Sequence, residues 1–251
     1  MPANFDDAFA RVKQLRAGNR AMFRTLGELT KSTQGLAASF FQTSSVQRSG
    51  EWYPFAGAAR AYRYEFVAGE KSFAYLGDRP SLKKFCEAGP KILIRRVVSR
   101  QDRLDAVYFD KKMVFKKDLN PFVFVDDSLD PKFVLGILNS RLISYLYVNT
   151  SSIATKDDFR QTTLAELRRL PIRTVNLSDA DGKARHERMI ALVEQMMLAR
   201  KQLGGTQTDR DKDYYHKKCA ALDRQIDALV YELYGLTAEE ISIVEGPANA
   251  G

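Results

Sequence analysis

Nine lysines and arginines fall between Gly89 and Lys117, with only three acids among them. Lys91, Arg95, Arg96, Arg100, Arg103, Lys111, Lys112, Lys116 and Lys117 are the side chains that neutralise phosphates. The wider segment from Arg60 to Lys117 holds 15 basic and 7 acidic residues, a net +8. That equals the net charge of the whole 251-residue chain, so the remainder is nearly balanced. Charge gathered in this way predicts a nucleic-acid-binding face. The alternative is an ordinary basic strand pair with no polyanion partner. The candidate phosphate contacts are Arg60, Arg63, Lys91, Arg95, Arg96, Arg100, Arg103, Lys111 and Lys112.

Reading base edges requires Arg, Lys, Gln, Asn, Ser or Thr on loops that reach a groove. Two polar stretches qualify, Gln42 to Gly50 and Thr150 to Gln161. In the second, Thr155, Lys156, Arg160 and Gln161 are the candidate base readers. Arg168 and Arg169 support a strand or bind phosphate. Catalytic sets are harder to assemble. Asn120-Pro121-Phe122 lacks the second proline of an amino-methyltransferase motif, and no glycine-rich cofactor loop follows a strand. Asp126-Asp127 and Asp157-Asp158 have no third carboxylate partner, so solvated turns explain them better than a metal centre. His186, His216, Cys86 and Cys219 are isolated, which predicts no metal, no cofactor and no disulfide, and suits a reducing cytoplasm. The first residues do not form a signal peptide, and no apolar run approaches a membrane span of about 18 residues.

The elements that must hold these residues are legible in part. Ile92, Leu93, Ile94, Val97 and Val98 form an apolar run, and Val107, Phe109, Met113 and Phe115 alternate, as strands with one buried and one wet face would. Asp110-Lys111-Lys112 falls where they turn. Arg60 to Phe66 alternates strictly and predicts one strand, with Tyr62, Tyr64 and Phe66 on the core side and Arg63 and Glu65 opposite. Asn4 to Arg24 reads as a lead-in helix. Ser81 to Ala88 reads as a short helix stopped by Gly89-Pro90, and Pro131 to Val148 as one buried helix. His186 to Leu203 and Tyr214 to Gly235 carry helical stripes joined by a polar linker, which predicts an antiparallel hairpin. Its apolar faces would serve packing, docking or dimerisation.

Four blocks in order resemble a known family: Pro90-Lys91-Ile92-Leu93-Ile94-Arg95-Arg96, Phe133 to Leu142, Thr155 to Ile172 with Leu170-Pro171-Ile172, and Ile226 to Thr237 followed by Glu239-Glu240-Ile241. Together they are similar to the TaqI-like C-terminal specificity domain of type IIG restriction–modification enzymes and adenine methyltransferases, and to type I specificity subunits. The resemblance implies an α+β fold: a mixed target-recognition domain with a twisted, mainly antiparallel sheet plus a C-terminal helical hairpin. It divides the chain into a lead-in helix (1–22), a recognition domain (23–177) and a hairpin or docking region (178–251). It implies sequence-specific double-stranded DNA binding without catalysis. The work would serve an adenine methyltransferase or endonuclease partner, docked through the C-terminal helices, in a bacterial or archaeal cytoplasm. The chain opens with Met1 and holds no catalytic domain, so a separate subunit, a truncated gene and an excised domain are all open. The other readings are a scaffolding module with a basic surface and a fragment of an active methyltransferase–nuclease.

Overall fold

The computed structural model describes residues 22–37, 41–57, 59–151 and 160–246. Its centre is a four-stranded antiparallel sheet in the order β2 (Thr30–Ser32), β11 (Leu119–Phe124), β8 (Lys91–Arg95), β9 (Ala106–Phe109). Leu93 stands opposite Pro121 on one side and Val107 on the other. Alternation along β8 sends Ile92 and Ile94 to the main core, and Leu93 to a smaller cluster with Val107, Phe109, Phe115 and Leu119.

Both faces of this sheet are therefore covered. On the main-core side lies α3 (Pro131–Leu138), whose N-cap Asp130 accepts from Lys132 N–H at 2.6 Å, with Pro131 in its first turn. On the other side sit the hairpin β5 (Arg60–Tyr62)–β6 (Glu65–Val67) and a second sheet. That sheet runs in the order β10 (Val114–Phe115), β4 (Trp52–Ala56), β7 (Phe73–Tyr75), β3 (Gln42–Ser44), with β10 parallel to β4. α2 (Pro80–Glu87) precedes β8. A two-stranded ribbon pairs β1 (Phe23–Thr25), at the start of the described chain, with β12 (Pro171–Arg173), and α1 (Leu26–Leu29) follows β1 under a Thr25/Glu28 capping box.

α5 (Leu164–Arg168) leads into β12, and beyond it α6 (Ala180–Gly205) and α7 (Asp209–Tyr234) form the expected antiparallel hairpin, longer than the apolar stripes alone indicate. Its face merges with the main core: Met189, Val193 and Met196 of α6 and Ile226, Leu229 and Val230 of α7 belong to the same cluster as Ile92 and Phe133. Gly136 of α3 lets α6 approach so closely that a Cβ there would strike Met189 and Val193. Gly235 ends α7 in the left-handed conformation (φ 61°, ψ 40°), and α8 (Ala238–Glu245) restarts with a Thr237/Glu240 capping box. No described helix is long and apolar enough to cross a membrane.

Two expectations change, and a third lies mostly outside the described residues. The single helix over Pro131–Val148 is two helices, α3 and α4 (Arg141–Thr150), because Asn139 and Ser140 leave the helical ladder. Asn139 uses its amide on the backbone of Ala106, and Ser140 caps α4 through Ile143 N–H. The single strand over Arg60–Phe66 is a tight hairpin in which Tyr62 pairs with Glu65. Tyr64 takes φ 65° in its turn, held by its N–H to Ala106 O at 3.0 Å and by burial of its ring, so the three aromatics do not share a face. The lead-in helix falls on residues outside those described up to 21, and Phe23–Thr25 is a strand.

Candidate nucleic-acid interface

The candidate phosphate contacts divide into three groups. Lys91, Arg103 and Arg63 are turned inward onto protein acceptors and are not displayed on the wet strand face that the charge pattern implies. Lys91 is fully buried: its ammonium donates to Phe85 O (3.1 Å) and Cys86 O (3.0 Å), in the last turn of α2, and to Lys111 O (3.3 Å). Phe109 and Phe115 lie against it, and burial lowers its pKa to about 8. Arg103 is 7% exposed and donates to Asn139 O at 2.6 Å. Burial, then the neighbouring Arg63, depress its pKa. Arg63 makes a bidentate pair with Asp223 of α7 at 2.9 and 3.0 Å. A sheet sealed on both faces has no wet face for Lys91, and the β5–β6 turn and the 99–103 turn fold back onto the helical hairpin.

The second group comes together beyond the C-terminal end of β8. Residues 96–98 pair with 160–162: Thr162 N–H donates to Arg96 O (2.6 Å), Val98 N–H donates to Arg160 O (2.9 Å), and Val97 bridges Gln161 antiparallel. The two sequence segments that charge and loop chemistry singled out are thus backbone neighbours. Ser99–Arg103 closes a tight turn, with Asp102 at φ 56° donating its N–H to Ser99 O. Arg160 forms an ion pair with Asp102, and Arg100 stands exposed on the same turn. Arg95, further back, pairs with buried Asp105 at 3.3 Å and lies 5.8 Å from the Tyr62 ring. Burial raises the Asp105 carboxyl and Arg95 opposes it. Among the described residues at this edge, Arg96 and Arg100 make no ion pair, Arg160 is bound to Asp102, and Gln161 lies beside it. Thr155 and Lys156 lie outside the described residues.

The third group is remote. Lys111 and Lys112 are exposed in the β9–β10 turn at the Lys91 end of β8, about 13 Å along the strand from Arg95 at 3.3 Å per residue. Arg60 is exposed at the start of β5. Arg168 hydrogen-bonds Ser32 Oγ (2.8 Å) and Ser32 O (2.7 Å), supporting the edge of the central sheet. Among the described residues, no three His, Cys, Asp or Glu side chains are grouped to hold a metal.

The four sequence blocks meet physically. The Asn139 side chain donates to Ala106 O (2.9 Å) and accepts from Ala106 N–H (3.0 Å), extending the edge of β9 as a strand would. Arg141 N–H donates to Asp227 Oδ1 (2.8 Å), tying the α3–α4 corner to α7. Tyr234 OH donates to Pro171 O at 2.6 Å and accepts from Arg173 N–H. The model of the TaqI-like C-terminal specificity domain matches residues 61–172. Over those residues the resemblance seen in the sequence blocks is shown. The match starts in β5 and ends in β12, so it contains β8, β9 and β11 of the central sheet but not β2, includes Arg96, Arg100 and Arg160, and stops before the helical hairpin.

A putative type II restriction enzyme and methyltransferase from Methanocaldococcus jannaschii, RM.MjaORFECS2P, is 35% identical to this chain over 227 residues. The alignment covers 89% of this chain and 18% of that protein, so the chain spans less than a fifth of its relative. The fold is similar to that of the type IIG restriction endonuclease BpuSI (TM-score 0.51, 14% identity, 92% of this chain and 33% of that one). It is likewise similar to the type IIL restriction–modification enzyme MmeI, solved in complex with DNA (TM-score 0.53, 12% identity, 88% and 35%). Residues that charge reasoning passed over, Asn139, Arg141, Asp223 and Asp227, organise the junction between domain and hairpin. Two of them, Asn139 and Arg141, sit in the Phe133–Leu142 block and Asp227 in the Ile226–Thr237 block, where their polarity inside apolar runs was the available signal.

Proposed function

We propose that this chain reads double-stranded DNA sequence for a restriction–modification methyltransferase or endonuclease, and does no catalysis itself. The observation that carries the reading is the pairing of residues 96–98 with 160–162, which brings Arg96, Arg100, Arg160 and Gln161 to one edge of the specificity domain. Arg96 and Arg100 supply phosphate neutralisation, which fixes register on the duplex. Arg160 and Gln161 have the donor geometry for purine edges in a major groove, the arginine for guanine and the glutamine for adenine. Asp102 holds the Arg160 guanidinium until DNA offers a better acceptor, so the side chain is positioned without being buried. Lys111 and Lys112 contact backbone phosphates further along the duplex. The helical hairpin carries the catalytic part of the system, and its exposed Leu198 and Tyr214 belong to that docking surface. The setting is a bacterial or archaeal cytoplasm.

The experiment is selection from a random-sequence duplex pool at low and at physiological salt, with sequencing of the retained fraction. An enriched motif is expected. Arg96→Gln with Arg100→Gln should weaken all sequences and reduce the salt slope by about 2. Gln161→Ala should instead relax preference at one position, by about 1–3 kcal/mol. Retention with no enrichment at any salt, or enrichment untouched by all three substitutions, would refute this placement of the reading edge.

A further inference from the structure

A polar cleft of about 460 Å³ opens where the 99–103 turn meets the helical hairpin, lined by Arg63, Gln101, Arg103, Arg141, Arg200 and His216 with Asp223. Its arginines are not needed to hold one another. Arg63 is satisfied by Asp223, and Arg141 pairs with Asp227 at 3.4 Å. Arg103 reaches Asp223 and Asp227 only at 3.8 and 3.9 Å, and its Nε is buried without a hydrogen-bond partner. Arg200 has the same defect: its Nε is buried and unpartnered, and it makes no ion pair among the described residues. Four guanidiniums thus stand against two carboxylates, Asp223 in the cleft wall and the buried Asp227. A buried N–H left without an acceptor costs about 1–3 kcal/mol, more when charged, so two of them beside an open cleft point to an absent acceptor.

We propose that this cleft is an oxyanion site that binds a phosphate group. The excess of two positive charges matches a phosphate dianion. Guanidinium forks suit its oxygens better than a point charge would, and the cleft holds many times the roughly 30 Å³ of a water molecule. The proposal is separable from the DNA reading above. Gln101 puts the cleft on the same turn as Arg100, so the phosphate comes either from a DNA backbone crossing that turn or from a free phosphate compound.

The test uses the full chain and its Arg200→Gln variant, whose fold should persist because Arg200 holds no partner. Inorganic phosphate is titrated by calorimetry in dilute chloride buffer, and affinity for a duplex is measured against salt for both proteins. The wild type should bind phosphate saturably, with about tenfold loss in the variant and none in Arg96→Gln/Arg100→Gln. If phosphate competes with duplex, and the variant lowers the DNA salt slope by about 1, the group belongs to the DNA backbone. If phosphate binds without affecting duplex affinity, the ligand is a free phosphate compound. A variant identical to wild type in both titrations overturns the site. Failure of the reading edge leaves the phosphate titration standing, so the two proposals fail separately.

Discussion

Lys91 offers the sharpest separation of a DNA contact from a structural strut. Its ammonium satisfies three carbonyls, two of them in the last turn of α2, from a position with no solvent exposure. Lys91→Met keeps the length and the apolar stem but leaves Phe85 O and Lys111 O without their donor, while Cys86 O keeps Met113 N–H at 3.2 Å. At about 1 kcal/mol per orphaned acceptor the loss is about 2 kcal/mol. Relief of the ammonium's desolvation, the cause of its lowered pKa, offsets part of this. A net destabilisation of about 1 kcal/mol is expected, which moves a urea midpoint by about 0.5 M at typical slopes. Under native conditions the folded protein should bind duplex DNA within twofold of wild type, with an unchanged salt slope. A variant as stable as wild type that has lost one unit of salt slope would refute the reasoning, because it would make Lys91 a phosphate contact.

Gly136→Ala should destabilise by about 1–3 kcal/mol in the same urea assay, since its methyl group meets Met189 and Val193 across the α3–α6 contact; unchanged stability would mean the hairpin is not held against α3 as described. Asp227 is pushed up to about 6 by burial, against Arg103 and Arg141. A carboxyl raised in the folded state favours folding at acidic pH and loses that contribution as pH rises through about 6, up to about 3 kcal/mol in all. Wild-type stability should therefore fall relative to Asp227→Asn between pH 4 and 7, and superimposable denaturation profiles would contradict it.

Much of the fold was legible. The apolar run from Ile92 located β8, two-residue alternation located β9, the Gly89-Pro90 stop marked the end of α2, and the stripes over His186–Leu203 and Tyr214–Gly235 located the hairpin. What the pattern could not convey was which faces a second layer covers. Lys91 alternates with Ile92 as a wet residue does, yet the second sheet and the β5–β6 hairpin close over that side. Arg63 and Arg103 read as free cations because their acceptors, Asp223 and the Asn139 carbonyl, lie 160 and 36 residues away. The break at Asn139-Ser140 was hidden by apolar residues on both sides, which satisfy a helical period whether or not the backbone continues. Arg96, Arg100, Arg160 and Gln161 were singled out from two separate segments, and nothing local signalled that those segments pair.

The sealing of both faces of the central sheet has a consequence for how targets can change. No strand face is free to vary, because each inward side chain sits in one of two cores where altered volume costs stability. On the proposed function, new recognition would be written outside the central sheet's strands: in the 99–103 turn, in the sequence from Thr150 to Gln161, and from Ser45 to Gly50. Lengthening such a segment is cheap, about 0.6 kcal/mol for each doubling of a flexible loop. The domain behaves as a fixed frame with exchangeable inserts, and retargeting by insertion at those three places should succeed where substitution within β8 or β11 unfolds the protein.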